Sequence, residues 1–238
     1  QQVARTCDLI MERGIDLTWS CFARTDCVSP PLLAKMRAAG CHQILFGLES
    51  AAPEILETVR KPIDLEQTRR AVRMVQDAGI DVRAAFMFGN PGETIASMRR
   101  TIDFAKELDP DIAIFNITTP YPGTQMFDWA LKNGHLRTLD WNCYDLANSV
   151  LELPTVSSED INRMYKIAYR EFFFRPKYLL RRLRRIRSWT DLKLNLQAFR
   201  SICFARSTAP RADSSDRRVI GGGADAAEAT PGLALGTW

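Results

Sequence analysis

The sequence has no run of 18 uninterrupted apolar residues, and it has no C-x-x-C cysteine pair. The missing apolar run argues against a transmembrane helix of ordinary length. The first residues also lack a basic segment followed by an apolar core, so we expect no signal peptide and a cytoplasmic protein. The net charge of +4 is too small to indicate a polyanionic partner, and we expect no nucleic acid to bind.

The six cysteines are spread through the 238 residues without a cluster. Their spacing matches no zinc or iron–sulfur template, and without a secretory signal a disulfide framework is not expected. Cys7, Cys21 and Cys41 each fall within an apolar pattern, where cysteine behaves as a small hydrophobe. We therefore predict buried free thiols and no metal ligands within this chain.

The chain repeats one pattern, in which an amphipathic segment is followed by a glycine and then by a short apolar run. Glycine in that place is typical of a helix C-cap. The four apolar runs are residues 17–22, 43–48, 82–88 and 112–118. Strands that alternate with helices at this spacing predict an α/β fold with a parallel sheet, and apolar runs of this kind favour burial of both sheet faces. The pattern does not decide between an open sheet and a closed barrel.

A polar or glycine–proline corner follows each predicted strand. The corners carry Arg24 and Asp26, then Glu49 and Ser50, then the GNPGET stretch at 89–94, then Thr119 in TPYPGT. Folds of this class bind ligands at the carboxyl ends of their strands. Taken singly, each corner also fits a structural role: Ser50 would cap the helix that Pro53 begins, and Arg24 would pair with Asp26. Taken together, the four corners predict a small-molecule site.

The pattern weakens beyond residue 130. We predict a first domain at 1–130, a helical C-terminal extension at 131–206, and a disordered tail at 207–238, where Pro, Ser, Gly and Ala dominate. Residues 177–189 are strongly basic and amphipathic. They predict either a peripheral contact with a membrane or another polyanion, or a helix that packs on the sheet with solvated arginines. Trp129, Trp141 and Tyr144 are expected in the core rather than in a substrate cavity.

Three stretches, in order, carry a family resemblance. LLAKMRAAGCHQILFGLESAAPEILETVRKPID, GIDVRAAFMFGNPGET and TIDFAKELDPDIAIFNITTPYPGT resemble the radical S-adenosylmethionine (SAM) superfamily, in particular its cobalamin-associated branch with the anaerobic magnesium-protoporphyrin cyclase. The resemblance covers about residues 1–130. It implies a partial (β/α)6 TIM-like barrel, with about four βα units in this chain, that binds SAM across the strand ends. It also implies a [4Fe-4S] cluster that cleaves SAM to a 5′-deoxyadenosyl radical, with cobalamin as a further candidate cofactor.

The sequence departs from the family in one respect, since no C-x-x-x-C-x-x-C motif occurs in it. The resemblance therefore implies a C-terminal fragment whose cluster ligands lie upstream of Gln1, and a chain that is inactive alone. It further implies an external electron donor, a small-molecule or lipid-like substrate, and either cobalamin-dependent methylation or cyclisation. The competing hypothesis is a non-enzymatic βα scaffold that docks a polyanion or membrane surface through 177–189.

The resemblance also assigns cofactor contacts, and it assigns no catalytic residue. Glu49 matches the position that contacts the ribose or amino-acid part of SAM, and Lys61 matches a basic position that meets the SAM carboxylate. Arg24 is a candidate either for binding a carboxylate or for orienting Glu49. The motif from Phe88 to Glu93 matches the one that packs against adenine. The complete set of candidate cofactor contacts is Arg24, Glu49, Ser50, Lys61, Phe88, Gly89, Pro91, Gly92, Glu93 and Thr119.

Within the adenine motif, each residue type has a physical reason. Gly89 and Gly92 would let the backbone approach a flat ring, and Gly92 is expected at the third position of a type II turn with a positive φ. Glu93 would hold the loop by accepting backbone N–H groups rather than take part in chemistry. Ala84 or Ala85 stands where the family pattern has its first glycine.

Overall fold

The computed structural model describes residues 2–61, 63–186, 188, 189, 193 and 197. The predicted tail at 207–238 lies outside the described residues, and the domain boundaries stay a prediction. In chain order the elements are α1 (Gln2–Glu12), β1 (Trp19–Ala23), α2 (Pro30–Ala38), β2 (Cys41–Glu49), α3 (Pro53–Thr58), α4 (Leu65–Asp77), β3 (Asp81–Phe88), α5 (Ile95–Leu108), β4 (Ile112–Ile117), α6 (Gln125–Lys132), α7 (Ser158–Phe173) and α8 (Pro176–Arg184). Short 3-10 turns occur at Thr25–Cys27 and Trp141–Cys143.

The four strands form one sheet in the order β1-β2-β3-β4, and every pair is parallel. Each strand leads through at least one helix to the next, which is the connection that parallel neighbours require. The predicted α/β class with four βα units is therefore confirmed. All four strands end at the same edge of the sheet, so the four polar corners lie along that edge.

Helices cover one face of the sheet. The side chains of Ile44, Phe46, Val82, Phe86 and Phe115 on that face are at most 1% exposed. The opposite side, here called the open face, carries the alternate residues, which are half-buried or exposed. The open-face residues of the four strands include Phe22, Leu45, Gly47, Arg83, Ala85, Met87, Ile112, Ile114 and Asn116.

The expectation that both faces are buried is wrong for the described residues. Phe22, on the edge strand β1, is 83% exposed, and the large apolar residues Leu45 and Ile114 are only partly buried. The physical reason is that the described helices pack on one side of the sheet only. A run of apolar residues predicted the strand correctly but did not specify what covers its second face.

The outer edge of β4 is covered by α7, α8 and a loop. The Tyr169 hydroxyl accepts from the Phe115 backbone N–H and donates to the Phe115 carbonyl oxygen, over 3.3 and 3.1 Å. The Tyr178 hydroxyl donates to the Asp111 carbonyl oxygen, and the Ile117 N–H donates to the Leu146 carbonyl oxygen. These bonds satisfy backbone groups that an edge strand would otherwise leave unpaired. No strand of the described residues pairs with the outer edge of β1.

Helix α8 ends at Arg184, earlier than the predicted helical segment. It packs on the sheet through Tyr178, which is 5% exposed, while Leu180 and Leu183 face outwards with exposures of 50% and 62%. Arg181 pairs with Asp109 over 2.9 Å. The prediction of solvated arginines is therefore wrong for Arg181, because a carboxylate at the end of α5 binds it. No helix among the described residues is long and apolar enough to cross a membrane.

The five cysteines of the described residues are all free. Cys7 and Cys41 are buried, as predicted, and Cys21 and Cys143 are partly buried. Cys27 is exposed, because it lies in the 3-10 turn after β1 rather than in a strand or helix, so the prediction is wrong for that residue. Cys203 lies outside the described residues.

Two glycines with positive φ give a matched test of packing against backbone strain. A Cβ at Gly40 (φ 89°) would lie 1.9 Å from the Leu17 carbonyl oxygen, whereas a Cβ at Gly92 (φ 81°) would meet nothing within 4 Å. We expect Gly92→Ala to lower the free energy of unfolding by about 1 kcal/mol, the cost of a left-handed alanine. Gly40→Ala should cost at least about 2 kcal/mol more, because the backbone must also move. Urea unfolding of the two variants checks this; equal losses would contradict it.

Candidate functional site

The carboxyl end of β2 presents Glu49 in an unusual backbone conformation. Its φ is 60°, in the left-handed region that few residues other than glycine occupy. The register between β2 and β3 also shifts between Gly47 and Glu49. The strand therefore leaves its regular pleat at Glu49, and strained backbone of this kind is concentrated at functional sites.

Glu49 is bonded to Lys61. The motifs named both residues as candidate cofactor contacts but did not predict that they bond to each other. The Lys61 ammonium nitrogen donates to Glu49 Oε1 over 2.5 Å, and the two side chains are 38% and 21% exposed. A Cβ on Gly47 would lie 3.0 Å from Lys61 Nζ and 3.1 Å from Glu49 Oε1. The ion pair thus lies directly against the backbone of Gly47, and a side chain there would displace it.

A second ion pair lies at the end of β1. Arg24 donates to both carboxylate oxygens of Asp26, over 2.9 and 2.6 Å, and both side chains are exposed. The hydrogen bonds from Arg24 lower the pKa of the Asp26 carboxyl far below its usual value. The predicted Arg24–Asp26 pair is confirmed. Among the described residues no hydrogen bond or ion pair joins Arg24 to Glu49, and the cation that bonds to Glu49 is Lys61.

A cleft joins the two ion pairs. Its volume is about 110 Å³, and Arg24, Asp26, Gly47 and Lys61 are among the residues that line it. Sites that enclose a whole cofactor-sized ligand usually measure about 300–1,000 Å³. The cleft therefore matches one end of such a ligand. It offers both cationic donors and carboxylate acceptors, which suits a group that carries a zwitterion or a diol.

The GNPGE stretch forms the predicted turn. The Glu93 N–H donates to the Asn90 carbonyl oxygen over 3.0 Å, and Gly92 has a φ of 81° at the third position. Both features are those of a type II turn. Gly89 has its own packing reason, because a Cβ there would lie 3.3 Å from Ile161 Cδ1 of α7.

Glu93 holds this turn from within, which confirms its predicted structural role. Its Oε2 accepts from the backbone N–H groups of Gly89 and Asn90 over 2.7 and 3.0 Å, and its side chain is fully buried. Burial raises the pKa of the Glu93 carboxyl to about 7, although these hydrogen bonds act in the opposite direction. Glu93 Oε1 is buried and has no hydrogen-bond partner among the described residues.

Three other candidate contacts use their side chains internally. The Ser50 hydroxyl is 3.2 Å from the Thr101 hydroxyl and accepts from the Ala52 N–H. Because Ala52 is the N-cap of α3, the prediction that Ser50 caps this helix is wrong by two positions. Thr119 donates to the Ile117 carbonyl oxygen. Phe88 is fully buried on the helix-covered face, so only its backbone faces the strand ends.

The structure also brings together four aromatic residues of the segment 121–144, a cluster that the sequence did not predict. Tyr121, Tyr144, Trp141 and Phe127 form a chain of ring contacts with centroids 4.8–6.3 Å apart. Trp141 is 54% exposed, so its predicted core position is wrong, because it lies in the 3-10 turn at the surface. Arg83 was missed as a candidate; the available signal was a cation close to the start of a strand that is apolar from residue 84 onward.

The described residues do not fit an iron–sulfur cluster. No group of three or more His, Cys, Asp or Glu side chains among them is arranged to hold a metal ion. A [4Fe-4S] cluster needs a set of thiolates at one place. The charged cleft between β1 and β2 instead carries cationic donors and a carboxylate acceptor, which suit an organic ligand.

Comparison with known proteins agrees with this geometry. Residues 2–105 match the family model described as the radical SAM superfamily. Over 172 residues the chain is 37% identical to an uncharacterised methyltransferase of Pyrococcus horikoshii, an alignment that covers 72% of this chain and 38% of the relative. It is 26% identical over 175 residues to the anaerobic magnesium-protoporphyrin IX monomethyl ester cyclase of Rubrivivax gelatinosus, covering 73% of this chain and 31% of the relative.

A solved structure shares the fold. The archaeal Elp3 of Methanocaldococcus infernus aligns with a TM-score of 0.50 and 19% identity, over 68% of this chain and 34% of that one. The chain spans less than two fifths of the length of these two curated relatives. The radical SAM family uses SAM together with a [4Fe-4S] cluster. By its family match, its similarity to these enzymes and its parallel βα architecture, the chain belongs to the radical SAM superfamily.

Proposed function

We propose that this chain forms the SAM-binding part of a radical SAM enzyme. The observation that carries the proposal is the Glu49–Lys61 ion pair, held against the backbone of Gly47 at the carboxyl end of β2. This is the strand end at which α/β folds bind ligands. Glu49 also has the strained backbone expected of a residue whose position matters more than its stability.

Arg24 and Lys61, which line the cleft, and Glu49, which bonds to Lys61, have the chemistry that the polar end of SAM requires. The Glu49 carboxylate is an acceptor for hydroxyl or ammonium groups, and Lys61 and Arg24 are donors for a carboxylate. Both ion pairs are partly exposed, so breaking either pair in order to bind a ligand group costs little free energy. We propose that Glu49 binds the ribose or the amino group, that Lys61 binds the carboxylate, and that Arg24 is a second cation for that carboxylate.

The GNPGE turn supports the proposal in a different way. Its side chains bond to their own loop, as the contacts of Glu93 and Asn90 illustrate. We propose that this rigid turn offers backbone groups to the adenine ring. When bound, SAM and a [4Fe-4S] cluster together supply a 5′-deoxyadenosyl radical in this family. The cluster ligands are proposed to lie upstream of Gln1, and the roles of this chain are binding and orientation.

For the whole enzyme we propose methyl transfer to a small-molecule or lipid-like substrate. Support comes from the Pyrococcus horikoshii relative, which is named a methyltransferase and is the more similar of the two. The Rubrivivax gelatinosus relative, named a cyclase, favours cyclisation as the second candidate. Cobalamin and an external electron donor stay predictions, as the family resemblance implied them.

A peripheral membrane contact through α8 is a second, separate proposal. Of the five cations of the helix and its C-cap, Lys177 and Arg181 pair with Asp109, and Arg185 pairs with Asp81 and Asp111. The apolar residues Leu180 and Leu183 point away from the sheet. An outward apolar stripe with an excess of basic charge is typical of helices that lie in an anionic bilayer surface. The same surface would serve the non-enzymatic scaffold hypothesis, but that hypothesis gives no reason for the Glu49–Lys61 pair.

The first prediction that follows from the proposed function concerns cofactor binding. In the full-length enzyme, Glu49→Ala should weaken SAM binding by about 1.5–3 kcal/mol, because it removes hydrogen bonds to a charged acceptor. Calorimetric titration with SAM measures this. The matched control is Glu54→Ala, which removes an exposed glutamate of α3 that pairs with Arg100. Equal SAM affinities for Glu49→Ala and its parent would refute the assignment.

The second prediction concerns Glu93. Its folded pKa of about 7 exceeds the ordinary 4.5, so the folded state favours the protonated carboxyl. Its contribution to stability is therefore complete below about pH 4.5 and is lost as the pH rises to about 7. Glu93→Gln should remove this fall in Tm, whereas the exposed Glu12→Gln should keep it. The test is Tm against pH for each variant and its parent in the full-length protein; parallel curves for Glu93→Gln and parent would refute it.

The third prediction concerns α8. Leu183→Glu should lower binding of the full-length protein to vesicles that contain anionic phospholipid by about tenfold, since it removes an apolar contact and adds a negative charge. The control variant is Lys166→Glu, at an exposed position of α7. Leu179 of α8 is not used for the control because it is partly buried. Sedimentation with vesicles measures the bound fraction. Unchanged binding by Leu183→Glu would contradict the membrane contact.

A further inference from the structure

Arg83 lies in the middle of the open face. It is the third residue of β3, where it pairs in register with Leu45 of β2 and Ile112 of β4. Leu45 pairs in turn with Phe22 of β1. One row across the open face is therefore Phe22, Leu45, Arg83 and Ile112, with three apolar residues around one guanidinium.

Arg83 Nε is a buried donor without a hydrogen-bond partner among the described residues, and no ion pair involves the Arg83 guanidinium there. A buried donor that has lost its water and gained no acceptor destabilises the fold, so native proteins rarely keep one without a reason. By contrast, Arg181 of α8 and the C-cap residue Arg185 are each paired with a carboxylate. Arg83 can therefore donate to an acceptor that the described residues do not supply.

The next row towards the carboxyl edge has room for that acceptor. It consists of Gly47, Ala85 and Ile114, and two of the three have little or no side chain. The Lys61 ammonium group lies beside Gly47 in that row. A ligand on the open face could therefore extend from the Glu49–Lys61 pair across Ala85 to Arg83 without displacing a large side chain.

We propose that Arg83 binds an anionic group, a carboxylate, of a substrate whose body is otherwise apolar. The guanidinium pairs with the carboxylate through two parallel hydrogen bonds, the arrangement that arginine favours. Phe22, Leu45 and Ile112 pack against the apolar part of the molecule. This inference rests on the proposed function, because it makes Arg83 a specificity-determining residue for the substrate that lies beside SAM.

The competing explanation is an internal ion pair, in which another segment of the full-length protein supplies a carboxylate to Arg83. The two explanations differ in what Arg83→Gln would do. If a ligand is the partner, loss of the charge changes ligand affinity and does not lower Tm, because no bond within the protein is lost. If the protein itself supplies the partner, the same variant strands a buried carboxylate, which lowers Tm and leaves ligand affinity unchanged.

The experiment titrates the full-length enzyme, without SAM, with decanoate and with its neutral analogue decanol. Binding is measured by calorimetry, and Tm is measured for each variant. The parent should bind decanoate saturably and about tenfold more tightly than decanol. Arg83→Gln should bind the two equally, with decanol affinity unchanged, and Arg83→Lys should keep part of the preference. Arg73→Gln, an exposed arginine of α4, should behave as the parent.

Each other outcome overturns the proposal. An Arg83→Gln variant that keeps the preference for decanoate would exclude Arg83 as the binding residue, and a large loss of Tm with the preference kept would assign it to an internal ion pair. No saturable decanoate binding by the parent would exclude an apolar anion site on the open face. SAM affinity of Arg83→Gln should equal that of the parent, so a failure here is distinct from a failure of the Glu49 assignment.

Discussion

Burial of one face of the sheet is the constraint on which the arrangement of the strand ends depends. Phe115 of β4 stacks on Phe86 and Phe88 of β3 with ring centroids 5.5 and 5.7 Å apart, and Phe172 of α7 packs against Phe115 edge-on. Side chains alternate between the faces of a strand, so this contact fixes which residue of β3 lies opposite each residue of β4. Because the strands are parallel, the same register aligns their carboxyl ends, where the polar corners lie.

The two halves of that edge differ in how their polar atoms are used. At β3 and β4, Glu93, Asn90 and Thr118 bond to each other and to their own backbone, which makes a rigid turn. At β1 and β2, the ion pairs of Glu49 and Arg24 are partly or largely exposed. Exposed pairs exchange partners at little cost, whereas buried ones do not. One half therefore provides a fixed backbone surface, and the other provides charges that are free to reorganise around a ligand.

Much of this was accessible from the sequence, because glycine positions and apolar runs are local signals. The helix C-caps, the four strands and the type II turn at Gly92 followed from residue types at fixed spacing. The orientation of α8 did not, because it depends on Asp109, which lies more than 60 residues away and attracts Arg181 inwards. The Glu49–Lys61 bond was also inaccessible as a contact, since it depends on how the segment after α3 folds back over Gly47.

The wrong prediction that both faces of the sheet are buried has a similar explanation. Alternation of apolar residues with other residues identifies two faces only where the two environments differ in polarity. In β3 and β4 most open-face residues are apolar, so the pattern resembled that of a strand covered on both sides. Asp81 and Arg83 are the charged exceptions in β3. Both stand at the start of the strand, and the apolar run that follows them dominated the pattern.

The hydroxyl groups of Tyr169 and Tyr178 have a consequence for how this sheet can be extended. They occupy hydrogen-bonding groups of Phe115 in β4 and of Asp111 directly before it, so another strand cannot add there without displacing two helices. The outer side of β1 carries no such obstruction in the described residues. Strand addition is therefore directional: β4 terminates the sheet, and β1 is the side at which a further strand, from the same polypeptide or from another, would join it.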